Sequence, residues 1–432
     1  MPVAAAVRTV TAAMLESLVL DRVQERLDDL TARRLPSLAI GWPGGRRIGP
    51  ADAQVRLSLH SLAPLAWLAA GQVGRVAEAY VDGRLTIEGR MRDVVDVAFA
   101  LVRDDPTATA PLARWAATLR HGRSLIRHRL AADARQIEQH YDVSDAFYAL
   151  WLDPRRVYSC AYWREPTLSL AAAQEAKLDL ICRKLGLAPG DRFLDVGAGW
   201  GGLLLWAAEH YGVRGIGITL SRHQHAHVRR RIEALGLAGR VEMRLLDYRH
   251  LPLDETFDKI ASIGMFEHVG RANLPRYFAT LHRLLRPGGL LLNHGITAGG
   301  TRNTQLGAGI GGFIERYVFP GGELLHLSHV LRVLAESGLE GLDSENLRPH
   351  YGRTLWAWSD ALESQLDAAA GLAGAATVRA YRLYLAGSAA AFERGWMALH
   401  QILAARLSGD PADGPMRGAQ SDYPFNRSGM YR

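Results

Sequence analysis

The chain has 432 residues, 48% of them hydrophobic and 22% charged, with a formal net charge of +7. This is the composition of a globular protein long enough for two or three domains around sizeable cores. Two cysteines, Cys160 and Cys182, are too few for a disulfide framework or a cysteine-rich metal centre. No run reaches the roughly 18 apolar residues of a membrane span. The Ala/Val-rich start is interrupted by Arg8, Glu16 and Asp21, so no secretory signal is expected and the expected location is cytoplasmic.

Residues 1–130 read as mainly helical, with GWPGGRRIG as an interruption. Within them GRVAEAYVDGRLTIEG reads as a helix, a turn at Asp82-Gly83 and a strand. Part of the positive charge gathers in 112–130, where Arg114, Arg120, Arg123, Arg127 and Arg129 alternate with Trp115, Leu119, Leu125 and Ile126. The plain reading is a solvated helical face. Guanidinium forks interleaved with apolar side chains also suit an anionic lipid surface, and suit it better than a duplex groove. A membrane surface rather than nucleic acid is therefore the expected partner.

From about 136 the chain turns aromatic, in HYDVSDAFYALWLDPRRVYSCAYW. LSLAAAQEAKLDLICRKLGL then predicts a helix with Leu178, Ile181 and Leu185 on its inner stripe, stopped near Gly186. Strands at FLDV, GIGIT, VEMRLLD and FDKIASIG alternate with helices at GLLLWAAEHY and HQHAHVRRRIEALGL. LLRPGGLLLNHG reads as a helix end, a turn and a strand. The alternation predicts an α/β fold with a mostly parallel sheet between helices. The Gly-rich 300–320 reads as a loop, 323–405 as helical, and the chain after Ser408 as a tail without apolar periodicity. The expected organisation is an accessory domain over 1–130, a catalytic domain over 131–410 and a tail over 411–432.

The strand FLDV runs into GAGWGG, whose glycines 197, 199 and 202 satisfy G-x-G-x-x-G. A dinucleotide site adds an acid at the end of the second strand. Here Thr219-Leu220-Ser221 occupies that place. Asp195 instead sits inside the first strand, two residues before Gly197, and h-h-D-h-G-x-G-x-G resembles motif I of the class I S-adenosylmethionine methyltransferases. Asp247-Tyr248 stands where that group carries an acid near the adenine, and the turn LLRPGGLLL also recurs there. These spaced elements favour methyl transfer over hydride transfer.

HYDVSDAFYALWLDPRRVYSCAYW, LDVGAGWGGL, GMFEHVG, FIERYVFPGGEL, HYGRTLWAW and YLAGSAAAF together resemble the cyclopropane-fatty-acyl-phospholipid synthase family, which includes the mycolic acid cyclopropane synthases, over about 136–402. The resemblance implies a Rossmann-like class I methyltransferase domain preceded by a mainly helical N-terminal domain. It implies S-adenosylmethionine as cofactor and methylene transfer to cis double bonds of unsaturated phospholipid acyl chains. Peripheral attachment to the inner face of the membrane follows from that substrate, and family members suggest a homodimer. The implied cofactor contacts are Tyr141, Ser159, Asp195, Gly197, Gly199, Thr219, Gln224, Asp247 and Tyr248. The implied catalytic group is a bicarbonate ion held by Glu267, His294, Tyr351 and the backbone at Cys160, with Glu267 accepting its proton while His294 and Tyr351 donate.

Position in the chain is consistent with those assignments. Glu267 follows the strand IASIG and His294 stands where LLNHG ends the next, so both are expected at the carboxyl edge of the sheet, where open α/β folds bind ligands. Taken singly, the histidine reads as a satisfied structural group and the tyrosine as packing. His268 reads as a turn residue rather than a catalytic one. Tyr158, Phe266, Tyr317 and Trp358 are candidates for an acyl tunnel with π contact to a cation. The chain departs from the family at Ala198 and Ser388, where Cys is common, and at Asn293 and Gly295, where many members have Leu and Thr. Branch-forming fatty acid methylation, small-amine N-methylation and non-catalytic lipid or S-adenosylmethionine binding are the alternatives. The Glu267, His294 and Tyr351 trio favours alkene chemistry, because an amine needs no oxyanion cage.

Overall fold

Strict alternation of apolar and polar residues, as in VRLSL, produces strands with one buried face. The computed structural model, which describes residues 18–102, 106–107, 144–301, 306–319, 322–407 and 427–431, has such strands in the N-terminal portion. They are β1 (Leu38–Trp42), β2 (Arg46–Ile48), β3 (Val55–Leu59) and β4 (Leu85–Glu88), forming a four-stranded sheet in the order β2-β1-β3-β4. β1 runs parallel to β3, and the other pairs are antiparallel. The first region therefore carries a sheet as well as helices. The helix Val73–Val81, the turn with Gly83 and strand β4 follow the order read from the sequence. The buried Arg26 donates to the carbonyls of Ala69 and Leu101, capping two helix ends with one guanidinium.

The chain divides into two compact units. One lies within Met1–Ala108, Gln305–Val318 and Leu366–Ala390; the other lies within Thr109–Thr304, Phe319–Gln365 and Ala391–Arg432. The units are not contiguous in the chain: 305–318 and 366–390, expected within the catalytic domain, group with the first unit. The first unit recruits two later segments because they share its core, in which Val81 packs with Phe313 and Ala380. The segment read as a glycine-rich loop contains the helix Ile310–Tyr317. Ile310, Phe313, Ile314 and Tyr317 recur at helical spacing there, a period obscured by the glycines between them.

The second unit contains β5 (Arg192–Val196), β6 (Arg214–Thr219), β7 (Val241–Leu245), β8 (Phe257–Ile263), β9 (Leu285–Ala298), β10 (Leu339–Asn346) and β11 (Met397–Arg406). They form one seven-stranded sheet in the order β10-β11-β9-β8-β5-β6-β7. β5 to β9 are parallel, and β11 lies antiparallel between β9 and β10. Two strands thus fall in a region read as helical. MALHQILAAR is almost wholly buried, and a mostly apolar stretch interrupted only by His400 and Gln401 does not distinguish a buried strand from a buried helix. RPGG, read as a turn, lies inside β9 beside a register shift.

Helices cover both sheet faces. Leu274, Tyr277, Phe278, Leu281 and Leu284 form the buried stripe of one of them, each large side chain contributing about 1.5–3 kcal/mol by burial. On the opposite face the helix Leu170–Leu185 starts at the Ser169 cap and ends at Gly186 in the left-handed region. The chain order reverses between β5 and β8, and the crevice above that switch point is where such a sheet takes a ligand. Tyr141, the arginine-rich stretch 112–130 and the tail from 408 to 426 lie outside the described residues. Residue Met430 is buried in the core of the second unit.

Candidate active site

The turn after β5 requires glycine. Gly197 and Gly199 have φ of 77° and 56°, where a side chain strains the backbone. A Cβ on Gly199 would meet nothing within 4 Å, so the demand is for conformation rather than room. The turn delivers the chain to the helix Gly202–Tyr211, whose first amides lack intrahelical partners. One of these, at Leu204, donates to the buried Asp195.

Above the turn lies a cleft of about 1040 Å³, open mouth included, lined by Ser159, Asp195, Gly197, Gly199, Thr219, Gln224, Asp247 and Tyr248. Of the cofactor positions read from the sequence, only Tyr141 falls outside the described residues. Thr219 donates its hydroxyl to Gln224 Oε1 at 2.7 Å and accepts the Ser221 amide at 3.2 Å. A fixed hydroxyl–amide pair thus stands where a dinucleotide site carries its acid. Asp247 is gripped by its neighbour Arg249, with Nε to Oδ1 at 2.8 Å and Nη2 to Oδ2 at 2.7 Å. Burial pushes the Asp247 carboxyl up, but the bonds and charge of Arg249 outweigh that and hold it below its ordinary value. Trp200, Ile218, Leu246 and Met265 supply apolar wall, and His268 also lines the cleft.

Sequence reasoning missed Lys177. It is 1% exposed, lines the cleft and donates from Nζ to Ser159 Oγ at 2.9 Å. Burial lowers its pKa to about 8 against the pull of Cys160, Asp153 and Asp195. Burial likewise raises Asp195 to about 7, with Lys177 opposing. The available signal was spacing. Lys177, Ile181, Lys184 and Leu185 share one helix face, so two lysines sit on the inner stripe.

A relay of backbone pairings connects the segments that carry Glu267, Tyr351 and Cys160 to the strand that carries His294. Glu267 lies in the short helix Phe266–Val269, and its Oε1 accepts the Ile296 amide of β9 at 2.6 Å. Ile296 pairs with Leu399 of β11, and Leu399 accepts the Leu347 amide at 2.8 Å. Leu347 in turn accepts the Tyr351 amide at 3.0 Å, and its carbonyl oxygen lies 3.9 Å from Cys160 Sγ. His294 precedes Ile296 by two residues, so both side chains project from the same face of β9. It lies within β9 rather than at its end, and Tyr351 lies in the first turn of the helix Arg348–Glu363 rather than before it.

Burial pushes the Glu267 carboxyl up to about 7, opposed by the Ile296 amide. Burial, with the charges of Lys177 and Lys184, holds His294 well below its ordinary value and keeps the imidazole neutral. Glu267 Oε2 and His294 Nε2 are buried polar atoms with no hydrogen-bond partner among the described residues. Such atoms carry a desolvation cost unless a ligand or water meets them. Neither amide atom of Asn293 is met either, and nothing in the structure explains that. The Cys160 thiol is fully buried and donates to the Ala161 carbonyl, and burial pushes its pKa far up, which opposes a thiolate role.

Gly295 allows the close approach of Glu267. A Cβ there would lie 2.0 Å from Phe266 Cε1 and 3.0 Å from Glu267 Oε1. The departure at this position is therefore matched by a phenyl ring lying against the strand. Tyr158, on the cleft wall, packs 5.4 Å from both Trp151 and Trp358, and Trp358 meets Tyr351 edge-on at 6.1 Å. Tyr317 belongs to the other unit, where it donates to Asp82.

The parallel sheet with its antiparallel β11, and the glycine turn below a ligand-sized cleft, define a class I methyltransferase fold. A family model described as mycolic acid cyclopropane synthetase matches residues 128–402, and the chain belongs to that family. A probable fatty acid methyltransferase of Pseudomonas putida is 44% identical over 407 residues, covering 93% of this chain and 98% of that protein. Cyclopropane mycolic acid synthase MmaA2 of Mycobacterium tuberculosis (strain ATCC 25177 / H37Ra) is 36% identical, over 62% of this chain and 96% of its own length. The solved structure of MmaA2 from Mycobacterium tuberculosis aligns with a TM-score of 0.60 at 34% identity, covering 63% of this chain and 97% of that one. Mycolic acid cyclopropane synthase CmaA1 complexed with SAH and CTAB aligns with a TM-score of 0.59 at 34% identity, with the same coverage. The chain is an S-adenosylmethionine-dependent methyltransferase. Among the described residues no helix is long and apolar enough to cross a membrane.

Proposed function

We propose that this enzyme cyclopropanates cis double bonds in the acyl chains of membrane phospholipids. The observation that carries the reading is that Glu267 Oε2 and His294 Nε2, two positions of the family motif, are buried polar atoms without a partner among the described residues. Bound S-adenosylmethionine supplies an electrophilic methyl group. The alkene π pair forms the new C–C bond, and the adjacent carbon becomes a cation. A base must then take a proton from the new methyl group, so that the freed C–H pair closes the ring. The site needs no base before the first step, since an alkene has no proton to lose.

A small oxyanion fits the unmet atoms, because a half-ionised carboxyl can accept its proton while a neutral imidazole donates to it. Glu267, His294, Tyr351 and the backbone at Cys160 would hold bicarbonate, which supplies the base. The aromatic group of Trp151, Tyr158 and Trp358 offers ring faces to a cation and excludes water that would quench it.

Lipid of the membrane surface is the proposed acceptor, in line with the name of the Pseudomonas putida relative, whose match extends across both units. A second reading, methyl transfer that stops at a branch, is favoured by the name of the Pseudomonas putida relative, a probable fatty acid methyltransferase, which specifies methyl transfer without ring closure. Gas chromatography–mass spectrometry of acyl chains, after reaction of the full chain with S-adenosylmethionine and liposomes of a cis-monounsaturated phospholipid, tests both. The expected product is the cyclopropane. Methyl or methylene branches would establish the second reading, and an unmodified lipid with cofactor bound would remove the lipid assignment.

A further inference from the structure

His294 Nδ1 lies 3.3 Å from Gln401 Nε2, and Gln401 Oε1 lies 2.8 Å from Lys184 Nζ. All three side chains are at most 2% exposed. Burial lowers the Lys184 pKa, and its ion pair with Glu345 opposes that and favours the ammonium. An ammonium has donors only, so the Gln401 atom facing it must be the oxygen. The opposite amide orientation would set donor against donor in a buried site. The Gln401 NH2 therefore faces His294, and Nδ1 must accept from it. In a neutral imidazole the proton then resides on Nε2, the atom without a partner among the described residues.

We propose that Lys184 and Gln401 are positioning residues that lock His294 in the Nε2–H tautomer, making it a hydrogen-bond donor to the reacting site and excluding it as the base. Nδ1 is occupied as an acceptor and Nε2 already carries its proton, so neither nitrogen can take one from the substrate. The lysine charges that face the ring, Lys177 and Lys184, together with burial, oppose a second proton. The inference rests on the proposed ring-closing reading for the use of the donor. The tautomer itself follows from the hydrogen bonds alone.

The test is long-range 1H–15N correlation of the histidine rings in the full chain, with His294 assigned by its loss in His294→Asn. The expected spectrum has an unprotonated Nδ1 and a protonated Nε2. In Gln401→Glu a carboxylate faces Nδ1 and demands a proton there, so the two assignments should exchange. With S-adenosylmethionine and liposomes, kcat should fall about 100-fold, as for a lost oxyanion donor, while the KM for S-adenosylmethionine stays within about twofold. Lys184→Met frees the amide to rotate. It should give a mixed tautomer and an intermediate kcat, and it serves if Gln401→Glu does not fold. A protonated Nδ1 in the parent, or unchanged tautomers in both variants, would overturn the proposal. Absence of lipid product from the parent would count against the ring-closing reading instead, with the spectra still deciding the tautomer.

Discussion

Glu267→Gln should bind S-adenosylmethionine as the parent does and lose about 10²–10⁴-fold in kcat, the range for a group that handles a proton in the transition state. The residue is not on the cleft wall, so cofactor contacts survive. The amide can still accept from Ile296, so the backbone link to β9 survives too. What disappears is the ability to take a proton at Oε2. The same substitution has a signature in stability. Holding the carboxyl at about 7 instead of 4.5 favours its protonated form in the folded chain by roughly 3 kcal/mol. The folded chain binds more protons at this group between those values. Its contribution is therefore complete below about pH 4.5 and lost as pH rises through about 7. The thermal midpoint of Glu267→Gln relative to the parent should accordingly improve from pH 5 to pH 8. Turnover close to the parent's would end the role assigned to Glu267, and a pH-independent difference in midpoint would show that the buried carboxyl is not titrating as described.

Lys177→Met should weaken S-adenosylmethionine and S-adenosylhomocysteine about 10- to 100-fold, the scale of a hydrogen bond to a charged group. Lys177 donates to Ser159 Oγ, so the Ser159 hydroxyl proton is free for an anionic group in the cleft. That group is taken to be the methionine carboxylate of the cofactor. 5′-Deoxy-5′-methylthioadenosine lacks that carboxylate, and calorimetry should find its affinity unchanged in Lys177→Met. Equal weakening of all three ligands would mean that the lysine merely supports the fold. In the parent, affinity for the carboxylate-bearing ligands should fall as pH rises through about 8, where Lys177 loses its proton.

These two residues differ in how visible they were before the structure. Glu267 was found because GMFEHVG is one of the stretches that resemble the family and follows a strand, which places its acid at the carboxyl end of the sheet. Lys177 was passed over because a lysine within a helix is ordinarily solvated. Only the packing of the helix Leu170–Leu185 against the sheet turns that face inward. Gln401 was hidden for a related reason. It belongs to β11, whose run of apolar residues read as helix, and its partner His294 is more than a hundred residues away.

The parallel strands, their helices and the glycine turn were legible in the amino-acid order, because each depends on neighbours within a few residues. Apolar period decides the element, and the backbone angles at Gly197 and Gly199 decide the turn. Of the positions lining the cleft, Thr219, Asp247 and Tyr248 were legible for the same reason, since they stand at or just after strand ends, whereas Ser159 came only from the resemblance and Lys177 was missed. Tertiary structure alone decided the rest. It placed β11 between β9 and β10, drew 305–318 and 366–390 into the first unit, and moved Tyr317 there. It also set the protonation of Glu267, His294 and Lys177, because burial and distant charges fix a proton's cost and neither is a local property of the chain.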